Sequence, residues 1–174
     1  DSIQLHASNQ SVTFPGAVTM GNASGSTGLG KILNYTWLTT YTQHTAGSSN
    51  ATWNVNTNIQ PTITPSATSS KIIVYINGSG ILRNTSNVGM RLEREIGGNG
   101  TWTHQRDHWY ENSADVWSPI NWTMMHLDSP NTTSECKYRM SLYANQNPGN
   151  CRWAYDAGAG LTSGSSIILF ELGA

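Results

Sequence analysis

Residues 71 to 82 read KIIVYINGSGIL, and the run Ile72, Ile73, Val74, Tyr75, Ile76 holds more consecutive apolar side chains than any other part of the chain. β-branched and aromatic residues of this kind fit the pleated surface of a strand. With the two-residue period of a strand, Ile72, Val74 and Ile76 fall on one face, and Ile73, Tyr75 and Asn77 on the other. Both faces begin apolar, so the strand is expected to lie between a sandwich core and a second covering surface, such as another subunit. The end of the chain repeats the pattern, with Ile167, Leu169 and Glu171 on one face and Ile168, Phe170 and Leu172 on the other. These two strands are expected at the centre of a sheet that also faces a partner chain.

Outward from this stretch, turns and short strands follow one another. Upstream, KILNYTWLTTYT at 31 to 42 and the segment 52 to 57 read as strands, and Pro61 and Pro65 bracket an edge segment. Downstream, Val88, Met90, Leu92 and Ile96 alternate with Gly89, Arg91, Glu93 and Glu95, with Arg94 the exception on the inner face. The glycines at 97, 98 and 100 then make a turn. INWTMMHL at 120 to 127 reads as a strand, and Cys136, Tyr138, Met140 and Leu142 alternate with Lys137, Arg139, Ser141 and Tyr143. No helical period stands out. The regular spacing of turns predicts an all-β, antiparallel β-sandwich of jelly-roll type over residues 31 to 174. Residues 1 to 30, with short apolar pairs and a glycine-rich end, read as a stalk or linker that packs against its own copies.

Composition excludes several partners. Charged residues make up 11% of 174 residues, and nine Lys and Arg against ten Asp and Glu leave a net charge of −1. With no basic run, the electrostatic footprint of a nucleic-acid binder is missing. No apolar run reaches the roughly 20 residues of a membrane-spanning helix and no leader pattern opens the chain, so the reading is a soluble protein without membrane insertion. Cys136 and Cys151 form no metal-binding pattern, and at the outer and inner ends of one hairpin they would not face one another, which argues against a bridge. N-x-S/T sequons recur, but Asn34, Asn77 and Asn121 fall in or beside strands, where a glycan is hard to place. No cofactor and no metal are expected.

The chemistry concentrates at 101 to 119, TWTHQRDHWYENSADVWSP, which reads as an irregular aromatic loop carried out of the sandwich by the glycines before it. Trp102, Trp109 and Trp117 lie close in sequence to His104, His108 and Tyr110. Aromatic rings stack on the apolar faces of sugars while short polar side chains bond hydroxyls, so these six are the candidate ligand-binding residues. The competing reading is that the rings plug the end of the sandwich or line a subunit interface, and for Trp122, inside a strand, that reading is preferred. Asp107, Glu111 and Asp115 recur every four residues, but spacing within a loop does not establish a catalytic carboxylate pair, and they read as solvated charges. His104 and His108 would share a face only on a helix. No nucleophile elbow, phosphate loop or dinucleotide fingerprint is present, so no enzyme is expected.

Four segments together resemble the distal domains of bacteriophage tail fibres: GKILNY at 30 to 35, ITPSATSSKIIVYINGSG at 63 to 80, LDSPNTTSECKYRMSLY at 127 to 143, and SIILFELGA at 166 to 174. That family is trimeric, with a sandwich related in shape to the tumour-necrosis-factor and complement-C1q heads. The resemblance implies a homotrimeric, non-enzymatic receptor-binding protein on the virion tail, exposed outside the cell, that joins an upstream fibre shaft and contacts a host-surface glycan or other receptor. The stretch at 101 to 119 has no counterpart in the family pattern. A secreted TNF-like or C1q-like signalling head and a carbohydrate-binding accessory module remain the alternatives.

Overall fold

The computed structural model describes residues 31–47, 49–82, 85–112, 118–154 and 164–173. The expected stalk, residues 1 to 30, and Trp117 lie outside them. Among the described residues the chain runs β1 (Ile32–Thr40), β2 (His44–Thr45), β3 (Thr52–Val55), β4 (Thr62–Ile63), β5 (Lys71–Leu82), β6 (Thr85–Ile96), β7 (Trp102–Asn112), β8 (Ser118–Asp128), β9 (Cys136–Ala144), β10 (Cys151–Trp153) and β11 (Ser165–Leu172), with a 3-10 turn at Pro148–Asn150. All pairings among these strands are antiparallel. The strands form two sheets, β1-β11-β5-β10-β2 with β8 along the other side of β5, and β3-β9-β6-β7 with β4 also on β9. After β5 the chain crosses repeatedly between the sheets, and the result is a jelly-roll β-sandwich.

The stretch at 71 to 82 sits at the centre of the first sheet, as its composition predicts. β5 pairs along its length with β8, and with β11 on its other side. Ile72, Val74 and Ile76 are fully buried against Met90, Leu92, Met140 and Leu142 of the facing sheet. The glycines that follow continue this inner face. A Cβ on Gly78 would lie 2.1 Å from Trp153 Nε1, and one on Gly80 would lie 2.5 Å from Trp122 Nε1. Two large rings therefore fill the core where the strand itself offers no side chain. Trp122 is fully buried, in line with its position inside a strand.

Two polar ties close the core. Arg94, on the inner face of β6, donates from Nη1 to both Asp128 carboxylate oxygens at 2.6 Å, and the Tyr138 hydroxyl donates to Asp128 Oδ2 at 2.7 Å. A buried charge needs such a partner, and here the pair joins β6 of one sheet to the end of β8 in the other. Burial, with the Asp128 charge beside it, pushes the Tyr138 phenol well above its ordinary range. Glu171, inward on β11 and 1% exposed, accepts from the Ser66 amide and hydroxyl at 2.6 Å each and from the Ser70 hydroxyl at 2.7 Å. The proline-serine turn is thus pinned to the last strand. Cys136 and Cys151 are both free and buried, in different sheets.

The outer face of the first sheet is apolar across four strands. Because opposed residues share a face, the registers give one row of Tyr35, Phe170, Ile73 and Leu127 and a second of Trp37, Ile168, Tyr75 and Met125. Tyr35 and Trp37 are 59% and 58% exposed, and Met125 and Leu127 are 64% and 57% exposed. A third row, Thr39, Ser166, Asn77 and Thr123, is polar but uncharged.

One expectation is corrected. The stretch at 101 to 119 is not an irregular loop: its first part is β7, hydrogen-bonded to β6 from Trp102 to Asn112, and β8 begins at Ser118. Gly97, Gly98 and Gly100, at φ of +68°, +68° and +75°, turn the chain back along β6 instead of leading it out of the sandwich. Asp107 is accordingly a paired strand residue and not a solvated loop charge. The pattern was hidden because β7 is the edge strand of its sheet, where the core runs out, and because a bulge breaks its period.

Candidate functional site

One cross-strand row of the second sheet is aromatic on its outer face. Trp53 of β3 opposes Tyr143 of β9, Tyr143 opposes Gly89 of β6, and Gly89 opposes Trp109 of β7. The missing side chain at Gly89 lets the rings close over it: Trp53 and Trp109 have centroids 5.6 Å apart at 68°, and Trp109 and Tyr143 are 5.4 Å apart at 75°. Such near-perpendicular pairs are the favoured aromatic geometry. Trp109 is nevertheless 52% exposed.

The next row holds this one in place. The Arg91 guanidinium lies 4.0 Å from the Trp53 ring centroid and donates from Nε and Nη2 to the two Asp107 oxygens at 2.9 and 3.0 Å. Burial alone would push the Asp107 carboxyl up, but the bonds from Arg91 and from His104 outweigh it and hold the carboxyl below its ordinary range. The bulge in β7, between the pairs Leu92 with Arg106 and Glu93 with His104, is what lets His104 Nε2 reach Asp107 Oδ1 at 3.0 Å on the same face of a strand.

A second bulge shapes the end of the sheet. Between the pairs Thr85 with Asn112 and Val88 with Tyr110, two residues of β6 oppose the single residue Glu111. One of the two is Asn87, whose φ of +36° is in the left-handed region that Asn tolerates better than most residues. Its carbonyl accepts the Asn145 N–H at 3.1 Å, which ties the bulge to the loop after β9. Asn87, Trp109, Tyr110 and Glu111 line a hollow of about 410 Å³. Successive residues of a strand point to opposite faces, so a hollow that touches Trp109, Tyr110 and Glu111 wraps around the strand edge. On the far side of Trp53 is a smaller hollow of about 140 Å³, lined by Ala46, Gly47, Ser49, Thr52, Trp53 and Asn54.

The six candidates from the sequence therefore separate. Trp109 and Tyr110, the latter 43% exposed, share the larger hollow. His104 is exposed on the outer face but bonded to Asp107. Trp102 is half-buried with the Arg139 guanidinium 3.8 Å above its ring. His108 opposes Met90 on the core side of the strand and is exposed where the core ends. Four contributors went unrecognised in the sequence: Trp53, Tyr143, Arg91 and Asn87. Tyr143 was legible as outward-facing from its alternation with Leu142, but nothing local indicates that Trp53, 90 residues earlier, lies beside it.

Comparison with known proteins gives only distant likenesses. No protein-family model matches the chain, and no curated protein sequence matches it. Among solved structures it is similar to a chain in the structure of infectious bursal disease virus Gx strain, at 9% identity and TM-score 0.39, covering 80% of this chain and 32% of that one. It is also similar to Eiger TNF from S. frugiperda, at 10% identity and TM-score 0.32, covering 70% of this chain and 90% of that one. The VP2 subviral particle of infectious bursal disease virus gives 9% identity and TM-score 0.30, covering 81% of this chain and 33% of that one. The chain spans about a third of the viral chains it matches.

Proposed function

We propose that this chain is a non-enzymatic attachment head, the homotrimeric tip of a viral tail fibre, which binds a glycan on the host-cell surface. The observation that carries this reading is the hollow at the bulged end of the second sheet, where Trp109, braced in the aromatic row, and Tyr110, on the other face of the same edge strand, stay open to solvent. Exposed rigid aromatics are the usual anchors of a recognition surface. The apolar face of the first sheet lies on the opposite side of the sandwich, so copies can associate there without covering the hollow. Each site binds weakly by itself, and three copies on one particle supply avidity. Residues 1 to 30 lead to the fibre shaft, and the head is displayed outside the cell on the virion tail.

The test is binding of fluorescently labelled protein to a panel of bacterial strains. Wild type should mark a subset of strains, and Trp109→Ala and Tyr110→Ala should each lose at least tenfold in labelling at unchanged melting temperature and mass. Undiminished labelling by both variants would remove the reading.

A further inference from the structure

We infer that the ligand of this hollow is an uncharged saccharide, whose apolar ring face rests on a Trp109 fixed before binding, and not a sialylated or uronate-bearing one. This rests on the attachment reading above and adds to it the charge class of the ligand and the device that presets the ring.

The preset ring follows from the packing around Gly89. A Cβ there would come within 2.8 Å of Trp53 Cη2 and 3.1 Å of Trp109 Cζ3, so the absence of a side chain is what allows both rings their positions. Trp53 in turn is clamped between the Arg91 guanidinium and Tyr143. A binding surface ordered in advance avoids the entropy of ordering it on contact, which matters most for a ligand with few buried contacts.

The charge class follows from what surrounds the hollow. Among the described residues that line it, Glu111 carries the charge and Asn87 the amide, and they oppose one another across the bulge. A carboxylate and an amide offer acceptors and donors to neighbouring hydroxyls, whereas an acidic sugar would bring its carboxylate toward Glu111. Among the described residues, Arg91 of the adjoining row gives no relief, because its charge is held against Asp107 and its plane against Trp53. At about 410 Å³ the hollow falls within the ~300–1,000 Å³ of small-ligand sites.

The experiment is a glycan array of neutral and acidic mono- to tetrasaccharides probed with the full chain, with labelling of a bound bacterial strain run alongside. The expected result is binding confined to neutral members, lost in Trp109→Ala and at least fivefold weaker in Gly89→Val. In Glu111→Gln neutral binding weakens while the ratio of acidic to neutral binding rises, a split that mere structural support would not give. Acidic members binding as well as neutral ones would overturn the inference. So would binding to no member while cell labelling still depends on Trp109, an outcome that leaves attachment standing. Cell labelling indifferent to Trp109 would instead take down the attachment reading itself.

Discussion

At the scale of single residues, the glycines of NGSGIL show how local sequence and distant packing meet. Read alone, Gly78 and Gly80 mark only the return of polarity after an apolar run. In the fold they are the two places where Trp153 and Trp122, from strands far along the chain, cross the inner face of β5. Neither the need for glycine nor the rings that impose it could be read locally, because nothing near residue 78 encodes β10 or β8. Gly78→Ala should destabilise the protein by about 1–3 kcal/mol through overpacking, seen as a lower urea midpoint at unchanged slope. A midpoint equal to wild type would show that the core has slack at that point. Glu171 gives a pH-dependent counterpart. Burial pushes its carboxyl up, but the bonds from Ser66 and Ser70 outweigh that and hold it below the ordinary value near 4.5. The stability it contributes is therefore complete above the unfolded value and is lost as pH falls through the folded one. Glu171→Gln should be less stable than wild type at pH 7, and the difference should shrink between pH 5 and 3. A difference independent of pH would contradict this account of the turn.

At the scale of elements, strands with a clean alternation were legible and the edge strand was not. β5, β6, β9 and β11 each bury one face, so their period of two survives in the sequence. β7 places Arg106, His108 and Tyr110 on the core side at the rim of the sandwich, where no apolar residue is required, and its bulge shifts the period midway. Sequence alone therefore reads a loop and groups the candidate residues by proximity, whereas in the strand alternate ones face opposite ways. The bulge opposite Glu111 and the partners Trp53 and Tyr143 needed the register. Hydrogen exchange gives a direct check. In an edge strand alternate amides bond to the neighbour, so slow exchange in Trp102 to Tyr110 should alternate with fast. Uniformly fast exchange would restore the loop reading.

At the scale of the whole molecule, the sandwich has two unlike outer faces. The second sheet carries ion pairs, Arg91 with Asp107 and Arg139 with Glu93, and ends in the aromatic hollow. The first carries rows of uncovered aromatic and aliphatic side chains without a charge among them. That face was foreseen from the two-sided apolarity of residues 71 to 76 and 167 to 172, the most informative global feature of the sequence. Exposed apolar surface of this extent suits an interface, and these uncharged rows, with Lys71 beside them on the same face bonded to Ser129, suit association with a second copy. Its central position in the proposal makes the mass in solution, by light scattering on the full chain and on Met125→Glu with Leu127→Glu, the decisive measurement. The account predicts about three times the 18.9 kDa chain mass for wild type and a folded 18.9 kDa species for the double variant. A wild-type protein that scatters as a clean 18.9 kDa monomer at all concentrations would contradict it.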